Sequence, residues 1–388
     1  MILHLFNSSV VSGPERLVLP ALAEHRDRFM IVNLREERLE SLRRKDPLQE
    51  FSRSLGLRYT AVPVHARWDR GAISRLRDVL KTEKPELVHA HVGKASIYLA
   101  QCLFSMKERP PIVSTHHGVG GLPDLKTRLY EILYRWVFLR FFDRVLCVST
   151  EDYEILKRSA IGASRLKRHL NGLDGILVKD SARLEARRGI RASWLPNEPD
   201  RDALLLLGVV GRLSAEKDHL RILRILAQVE KNGGALPWRC LIFGSGDMEK
   251  ILREEAGRLG LDHRIEWMGY RDAVGKEMAG LDLLLSFSKA EGLPINLIEA
   301  GWAGTPVMCT WVGGIKDLIP DDSYGLRIDL HESVDQTASR ILEISVKDKQ
   351  ACLQAMGRRL QSRVAAEFST KRWLSELRTI YAELNVHI

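Results

Sequence analysis

The stretch Ser286-Phe-Ser-Lys-Ala-Glu-Gly-Leu-Pro-Ile-Asn-Leu-Ile-Glu-Ala-Gly-Trp-Ala-Gly-Thr-Pro-Val307 follows the run Leu281 to Leu285, which has the character of a buried strand. It continues into a short helical pattern that stops before Thr305-Pro306. This strand, loop and helix carry two carboxylates: Glu291 on the loop and Glu299 inside the helix, with seven residues between them. Gly292 and Pro294 shape a turn that sets the backbone N–H groups of Leu293, Ile295 and Asn296 near a helix N-terminus, where they face a polar or anionic ligand. Taken singly, Glu291 is a loop carboxylate and Glu299 a solvated helix residue. Taken as one unit, two acceptors and several donors converge on one crevice.

Upstream, Ala203 to Val210 is an apolar run suited to a buried parallel strand. It leads into Gly211-Arg212-Leu-Ser-Ala-Glu-Lys217-Asp218, with a helix from Asp218 or His219. Gly211 permits a tight backbone, Arg212 offers a fork for phosphate oxygens, and Lys217 adds a second cation near a helix N-terminus. Together they form a diphosphate clamp. Cys240-Leu-Ile-Phe-Gly-Ser-Gly-Asp247 reads as the next strand and its turn, with Gly244 first. Glu249 stands where a Gly-x-Gly-x-x-Gly fingerprint needs its third glycine, so no such fingerprint is completed.

These strings resemble the family-4 retaining glycosyltransferases of the GT-B fold. The resemblance lies in Glu-x7-Glu, in Glu291-Gly-Leu-Pro-x-x-Leu-x-Glu299-Ala followed by Gly-x-Pro-Val307, in Val312-Gly-Gly-Ile-x-Asp317, and in Gly211-Arg-Leu-x-x-x-Lys217 at the family's usual distance. It implies an α/β fold of two Rossmann-like doubly wound parallel-sheet domains facing across a cleft. The expected divisions are an acceptor-binding domain over 1–180, a linker over 181–202, a nucleotide-sugar-binding domain over 203–367, and C-terminal helices over 368–388 that cross back to the first domain. It further implies that Glu291 accepts from donor-sugar hydroxyls, helped by the Gly292 to Asn296 amides, that Glu299 holds the ribose hydroxyls, and that Gly269, after strand Ile265 to Gly269, lies beside the nucleotide base.

The N-terminal half repeats the alternation of short strands and helices. Strands are expected at residues 1–6, Phe29 to Asn33, Tyr59 to Val64, Leu87 to Ala90, Ile112 to Thr115 and Arg144 to Val148. The first feeds a turn with Ser12-Gly13-Pro14-Glu15, matching a family loop that usually reads Gly-Gly-x-Glu and approaches the donor phosphate or the acceptor. His89-Ala90-His91 and Ser114-Thr115-His116-His117-Gly118 end two strands. By residue type such histidines are packing or loop-stabilising groups. By resemblance to the family's Thr-x-His-Gly element, His117 stands near the reacting sugar and His116 is its neighbour.

The 388 residues suit two domains, and 45% hydrophobic with 28% charged residues describe a globular chain with sizeable cores. Cys102, Cys147, Cys240, Cys309 and Cys352 are scattered without Cys-x-x-Cys spacing and read as thiols in a reducing compartment. The N-terminus lacks a basic region followed by a long apolar core, so a cytoplasmic location is expected, with the inner face of the cytoplasmic membrane as the alternative. Ile132 to Val148 is interrupted by Arg135, Arg140, Asp143 and Arg144 and fails as a spanning helix. It reads as a core-facing amphipathic helix or a membrane-surface element. The net charge of +9, concentrated in Arg35 to Arg58 and Arg158 to Arg191, favours an acidic partner such as anionic lipid or a nucleotide diphosphate. The basic residues lack interleaved aromatic platforms, which argues against nucleic acid.

The resulting expectation is transfer of a sugar from a nucleotide-diphosphate sugar to a glycan or lipid-linked acceptor, with retention and without a cofactor. No Asp-x-Asp element marks a metal site, and Arg212 and Lys217 can do a metal's electrostatic work. A sugar-nucleotide epimerase of similar fold and a noncatalytic nucleotide-sugar-binding protein are the competing readings.

Overall fold

The computed structural model describes residues 1–37, 46–66, 68–91, 93–104, 106, 108–118, 132, 134–159, 161–175, 180–198, 200–201, 203–234, 236–271, 274–345 and 347–388. Parts of the two basic runs (38–45, 160 and 176–179), Pro199 and Asp202 of the expected linker, and residue 133 lie outside them. The chain divides into two compact units, Met1–Gly172 with Thr370–Ile388, and Leu173–Ser369.

The first unit holds strands β1 (Ile2–Phe6), β2 (Phe29–Glu36), β3 (Arg58–Val64), β4 (Leu87–His91), β5 (Ile112–His116), β6 (Arg144–Cys147) and β7 (Leu166–Arg168). All pair in parallel, in the order β3-β2-β1-β4-β5-β6-β7. Alternation along each strand sends Leu3, Leu5, Val88, Ala90 and Ile112 into one apolar core with helices Arg70–Glu83 and Gly93–Leu103. The opposite face carries His4, His89 and His91, and helix Thr370–Ala382 reaches it through Tyr381, whose hydroxyl bonds His89. Helix starts are capped by side chains: Asp69 accepts from Ala72 N–H at 3.0 Å and Ser149 from Asp152 N–H at 3.0 Å.

The second unit holds β8 (Leu205–Val210), β9 (Trp238–Phe243), β10 (Ile265–Gly269), β11 (Leu283–Ser286), β12 (Val307–Thr310) and β13 (Leu326–Ile328) in the order β10-β9-β8-β11-β12-β13. Numbered within the unit, this is the 3-2-1-4-5-6 order of dinucleotide-binding sheets. Ligands of such sheets sit beyond the strand C-termini where the winding reverses, here between β8 and β11, which pair through Leu207–Leu283 and Gly208–Leu284.

Two expectations need correction. The stretch expected as linker contains helix Asp180–Trp194, which belongs to the second unit. Its charge hides it: Arg191 is fully buried, donates to the carbonyls of Gly280 (2.9 Å) and Leu204 (3.1 Å), and pairs with Asp282 at 2.5 Å. Asp282 also accepts from Leu206 N–H at 2.7 Å, so the buried charge is fully partnered. The chain instead passes between units at Gly172/Leu173 and Ser369/Thr370. Second, Ile132 to Val148 is not one amphipathic helix. It contains a π turn (Tyr134–Phe138), a 3-10 turn (Leu139–Phe141) and then β6; Tyr134, Leu139 and Phe142 are buried, while Trp136 is 51% exposed.

Candidate active site

The loops leaving the C-termini of β8, β9, β11 and β12 are tied into one surface. Gly211 donates to the Phe243 carbonyl at 3.0 Å, Leu213 N–H to Ser245 O at 3.0 Å, and Met248 N–H to Leu213 O at 3.0 Å. A Cβ on Gly244, whose φ is +142°, would stand 1.8 Å from the Gly211 carbonyl oxygen, so the residue must be glycine for these loops to meet. Gly244 in turn donates to the carbonyl of Gly269 at 2.8 Å. On the other side, Lys289 N–H donates to Glu216 O at 2.9 Å, and Gly314 N–H to Gly292 O at 2.6 Å. A Cβ on Gly313, with φ +54°, would stand 1.7 Å from the Glu291 carbonyl oxygen.

Upon this frame the charged groups assemble. Lys217 Nζ pairs with Glu291 Oε1, the two side chains being 20% and 11% exposed. Ser288 Oγ donates to the same oxygen at 2.6 Å, while the Ser288 carbonyl accepts from Thr310 Oγ1 at 2.5 Å. Arg212 is 68% exposed and reaches Glu216 Oε1 at 2.9 Å, and its carbonyl bonds His219 Nε2 at 3.0 Å. Burial pushes the Glu216 carboxyl up, but the backbone N–H, Ser214 and the Arg212 and Lys217 charges outweigh it and hold the group below the ordinary range. Burial lowers the pKa of His219.

Helix Ile295–Ala303 begins directly after Pro294, as expected from the turn. Ile298 is the residue whose N–H turns back to Pro294 O, at 3.4 Å, so the amides before it have no acceptor within the helix. Asn296 Nδ2 donates to Val210 O at 2.6 Å, fixing the helix start to the end of β8. Glu299 is half-buried one turn in; a Cβ on Gly275 would be 3.4 Å from its Cβ. The second unit thus brings together Gly211, Arg212, Lys217, Gly244, Gly269, Glu291, Gly292, Leu293, Pro294, Ile295, Asn296 and Glu299 along one edge of its sheet. This edge can take a diphosphate on its cations and amides and hydroxyls on its carboxylates.

Gly13 and His117 belong to the first unit. Gly13 opens helix Gly13–Ala23, whose buried Glu15 accepts from Ser12 N–H at 2.8 Å and Ser12 Oγ at 2.7 Å. His117 follows β5 and meets His91, Nε2 to Nδ1, at 3.4 Å. His116 is the last residue of β5, buried against Tyr134, with burial pushing its pKa down to about 3. Imidazole nitrogens of His4, His89 and His91 come within 4.8 Å of one another, the separation at which three such groups meet a metal ion. Their nitrogens are, however, bonded to one another, to Tyr381 and to Thr115.

From the sequence no role falls to Ser288, Glu216, the Asn296 side chain, His4 or Tyr381, and Gly313 is singled out only as part of Val312-Gly-Gly-Ile-x-Asp317. A Ser three residues before Glu291 and an Asn at a helix start are common enough to carry no signal. The His4, His89 and His91 set had one: alternate residues of neighbouring parallel strands share a face.

Two family models match, Glycosyl transferases group 1 over residues 193–357 and Glycosyltransferase Family 4 over residues 19–174. Fold and matches together define a GT-B glycosyltransferase. The chain belongs to the family-4 type of that class. It is 21% identical over 324 residues to a UDP-Gal:alpha-D-GlcNAc-diphosphoundecaprenol alpha-1,3-galactosyltransferase of Escherichia coli, covering 82% of this chain and 81% of that protein. It is 24% identical over 335 residues to the N-acetyl-alpha-D-glucosaminyl L-malate synthase of Bacillus anthracis, covering 82% and 80%. Among solved structures, Anabaena HepE in complex with UDP-glucose superposes with a TM-score of 0.79 at 18% identity, covering 98% of this chain and 99% of that one. A sucrose-phosphate synthase from Thermosynechococcus elongatus gives 0.78 at 16%, covering 99% of each. Among the described residues, no helix is long and apolar enough to cross a membrane.

Proposed function

We propose that the protein transfers a hexose or N-acetylhexosamine from a UDP-sugar to a hydroxyl of a glycan or lipid-linked acceptor, with retention at the anomeric carbon. The observation that supports this most directly is the Lys217–Glu291 pair at the winding reversal of the second sheet, with Arg212 beside it. The lysine and arginine answer the charge that grows on the leaving diphosphate, which is where a fixed cation accelerates most. Glu291, held by Lys217 and Ser288, accepts from sugar hydroxyls, Glu299 binds the ribose, and the amides at Ile295 and Asn296 face the phosphates. His117 contacts the donor sugar. In a front-face displacement the anomeric C–O bond to phosphate breaks, the bond to the acceptor oxygen forms on the same face, and the acceptor proton passes to the departing phosphate oxygen. The proposed reaction needs no metal, because Arg212 and Lys217 supply the positive charge; EDTA is expected to leave the rate unchanged.

Of the relatives named above, the UDP-Gal:alpha-D-GlcNAc-diphosphoundecaprenol alpha-1,3-galactosyltransferase guides the proposal of a UDP-sugar as donor and a glycan or lipid-linked hydroxyl of bacterial envelope synthesis as acceptor. We place the protein in the cytoplasm, with a peripheral contact to anionic membrane through exposed Trp136 and its neighbouring arginines. The test is a thermal-shift screen of UDP-, GDP- and ADP-sugars followed by product analysis. Stabilisation by one nucleotide class and an α-linked product from an α-linked donor support the proposal. Absence of stabilisation by any nucleotide sugar in folded protein overturns it, and product formation without acceptor marks an epimerase.

A further inference from the structure

His4 and His89 are cross-strand partners on β1 and β4, His91 lies two residues further along β4, and Thr115 and His117 have the same parity on and after β5. All five therefore address one face of the first sheet, where Tyr381 of helix Thr370–Ala382 joins them. Their polar atoms form one unbranched line. Thr115 Oγ1 meets His89 Nε2 at 2.7 Å, and His89 Nδ1 meets the Tyr381 hydroxyl at 2.6 Å. That hydroxyl meets His4 Nε2 at 3.4 Å, His4 Nδ1 meets His91 Nε2 at 2.9 Å, and His91 Nδ1 meets His117 Nε2 at 3.4 Å.

Burial keeps these rings neutral: it lowers His4 to about 3 and His117 to about 4, and holds His89 and His91 well below the ordinary value. A neutral imidazole has one N–H donor and one bare acceptor nitrogen. Within a run of such imidazoles every proton must therefore point the same way, so the His4–His91–His117 run has two arrangements; the hydroxyl at its end, which donates one proton and can accept two, sets the direction. The Tyr381 hydroxyl selects between them. A phenol is a stronger donor than an aliphatic hydroxyl, and imidazole nitrogen is a stronger acceptor than phenol oxygen. The 2.6 Å contact is accordingly O–H donating to His89 Nδ1, shorter than an N–H···O bond normally is. His89 then donates from Nε2 to Thr115, and the Tyr381 oxygen accepts from His4 Nε2–H over the longer 3.4 Å. His4 Nδ1 is left bare and accepts from His91 Nε2–H. His91 Nδ1 is left bare and accepts from His117 Nε2–H.

We infer that Tyr381, acting through His4 and His91, holds His117 in the Nε2–H tautomer with its Nδ1 bare, so that His117 meets its ligand as a hydrogen-bond acceptor. His4, His91 and Tyr381 are positioning residues. The consequence for sugar transfer rests on the function proposed above, in which His117 contacts the donor; the tautomer itself does not. A bare Nδ1 selects a hydroxyl that can donate, and it rejects a carbonyl or a phosphate oxygen, which can only accept.

The test uses full-length protein with 15N-labelled histidine and no substrate, the His117 signals being assigned by their loss in His117→Gln. In wild type, the expected pattern is a protonated-type nitrogen shift at Nε2 of His117 and a bare-type shift at Nδ1. Tyr381→Phe removes only the hydroxyl, and the two His117 shifts then move toward each other as both tautomers become populated. His91→Gln is the second break in the line and gives the same convergence. A wild-type spectrum with the proton on Nδ1 overturns the inference without any variant. Unchanged His117 shifts in a folded Tyr381→Phe protein overturn it as well. Because no turnover is measured, the outcome is separable from the fate of the proposed reaction.

Discussion

Lys217 and Glu291 form an ion pair between the loop after β8 and the loop after β11, across the point where the second sheet reverses its winding. Without the lysine, Glu291 keeps Ser288 but loses its cation, and in the proposed reaction the diphosphate loses one of its two. Lys217→Ala is expected to lower turnover by roughly 10²–10³-fold, the range for removing one electrostatic stabiliser of a leaving group. Steady-state rates with the donor identified by screening check this. A variant within tenfold of wild type removes Lys217 from the mechanism.

Arg212 carries a prediction about stability. Its side chain is two-thirds exposed and its ion pair with Glu216, four residues on, is largely at the surface, so the pair contributes at most about 1 kcal/mol. Arg212→Ala should melt near wild type without ligand. Nucleotide at ~100 times its dissociation constant adds about 2.7 kcal/mol to wild type, and that shift should vanish in Arg212→Ala and in Glu299→Ala. Melting curves with and without nucleotide decide it, and an undiminished shift in both variants counts against the donor site.

Gly244→Ala and Gly313→Ala each place a methyl group inside van der Waals contact of a backbone carbonyl, Gly211 O and Glu291 O, at a positive φ. Each is expected to destabilise the protein by roughly 1–3 kcal/mol and to remove donor binding, because the displaced carbonyls belong to the loops that carry Arg212 and Glu291. Denaturant titration and nucleotide binding measure the two effects separately. Full affinity at reduced stability would separate loop geometry from binding.

The buried histidines His4, His89, His91 and His169 give the first unit a pH dependence of definite sign. Burial depresses each of them in the folded state, so above about pH 6.5 both states are neutral and nothing is gained or lost. Below that value the unfolded chain takes up protons that the folded chain excludes, and stability falls. Each histidine removes up to roughly 1.4 kcal/mol per pH unit until its folded value is reached. The midpoint of thermal unfolding should therefore drop steeply from about pH 6.5 to pH 5. A flat profile there contradicts buried neutral rings.

Legibility in the sequence followed the kind of signal each element carries. Mostly apolar runs such as Leu283 to Leu285 and residues 1–6 announced buried parallel strands, since a strand covered on both faces carries apolar residues on both of them and a single polar one, such as His4, does not break the run. Glu291, Arg212 and Lys217 were legible because spacing along a loop survives as a string. Helix Asp180–Trp194 was not, because Arg191 is fully buried there and its charge is met by Asp282, 91 positions away. β7 escaped notice because three residues, Leu166–Arg168, carry too short an alternation. The His117 network was hidden for a third reason: its partners come from residues 4 to 381, and face parity becomes visible only once the strand order is known.

Residue order and structural order part company at the C-terminus. The second unit runs unbroken from Leu173 to Ser369, whereas the first waits for helix Thr370–Ala382, with buried Trp373, Leu374, Leu377, Ile380 and Tyr381. Domains normally complete in the order the ribosome emits them. In this chain the first unit to begin is the last to close, and until then the rings of His4 and His89 stand without the phenol that bridges them. Damage to the final helix, by proteolysis or a premature stop, is thus a lesion of the N-terminal unit, however far away in sequence it falls.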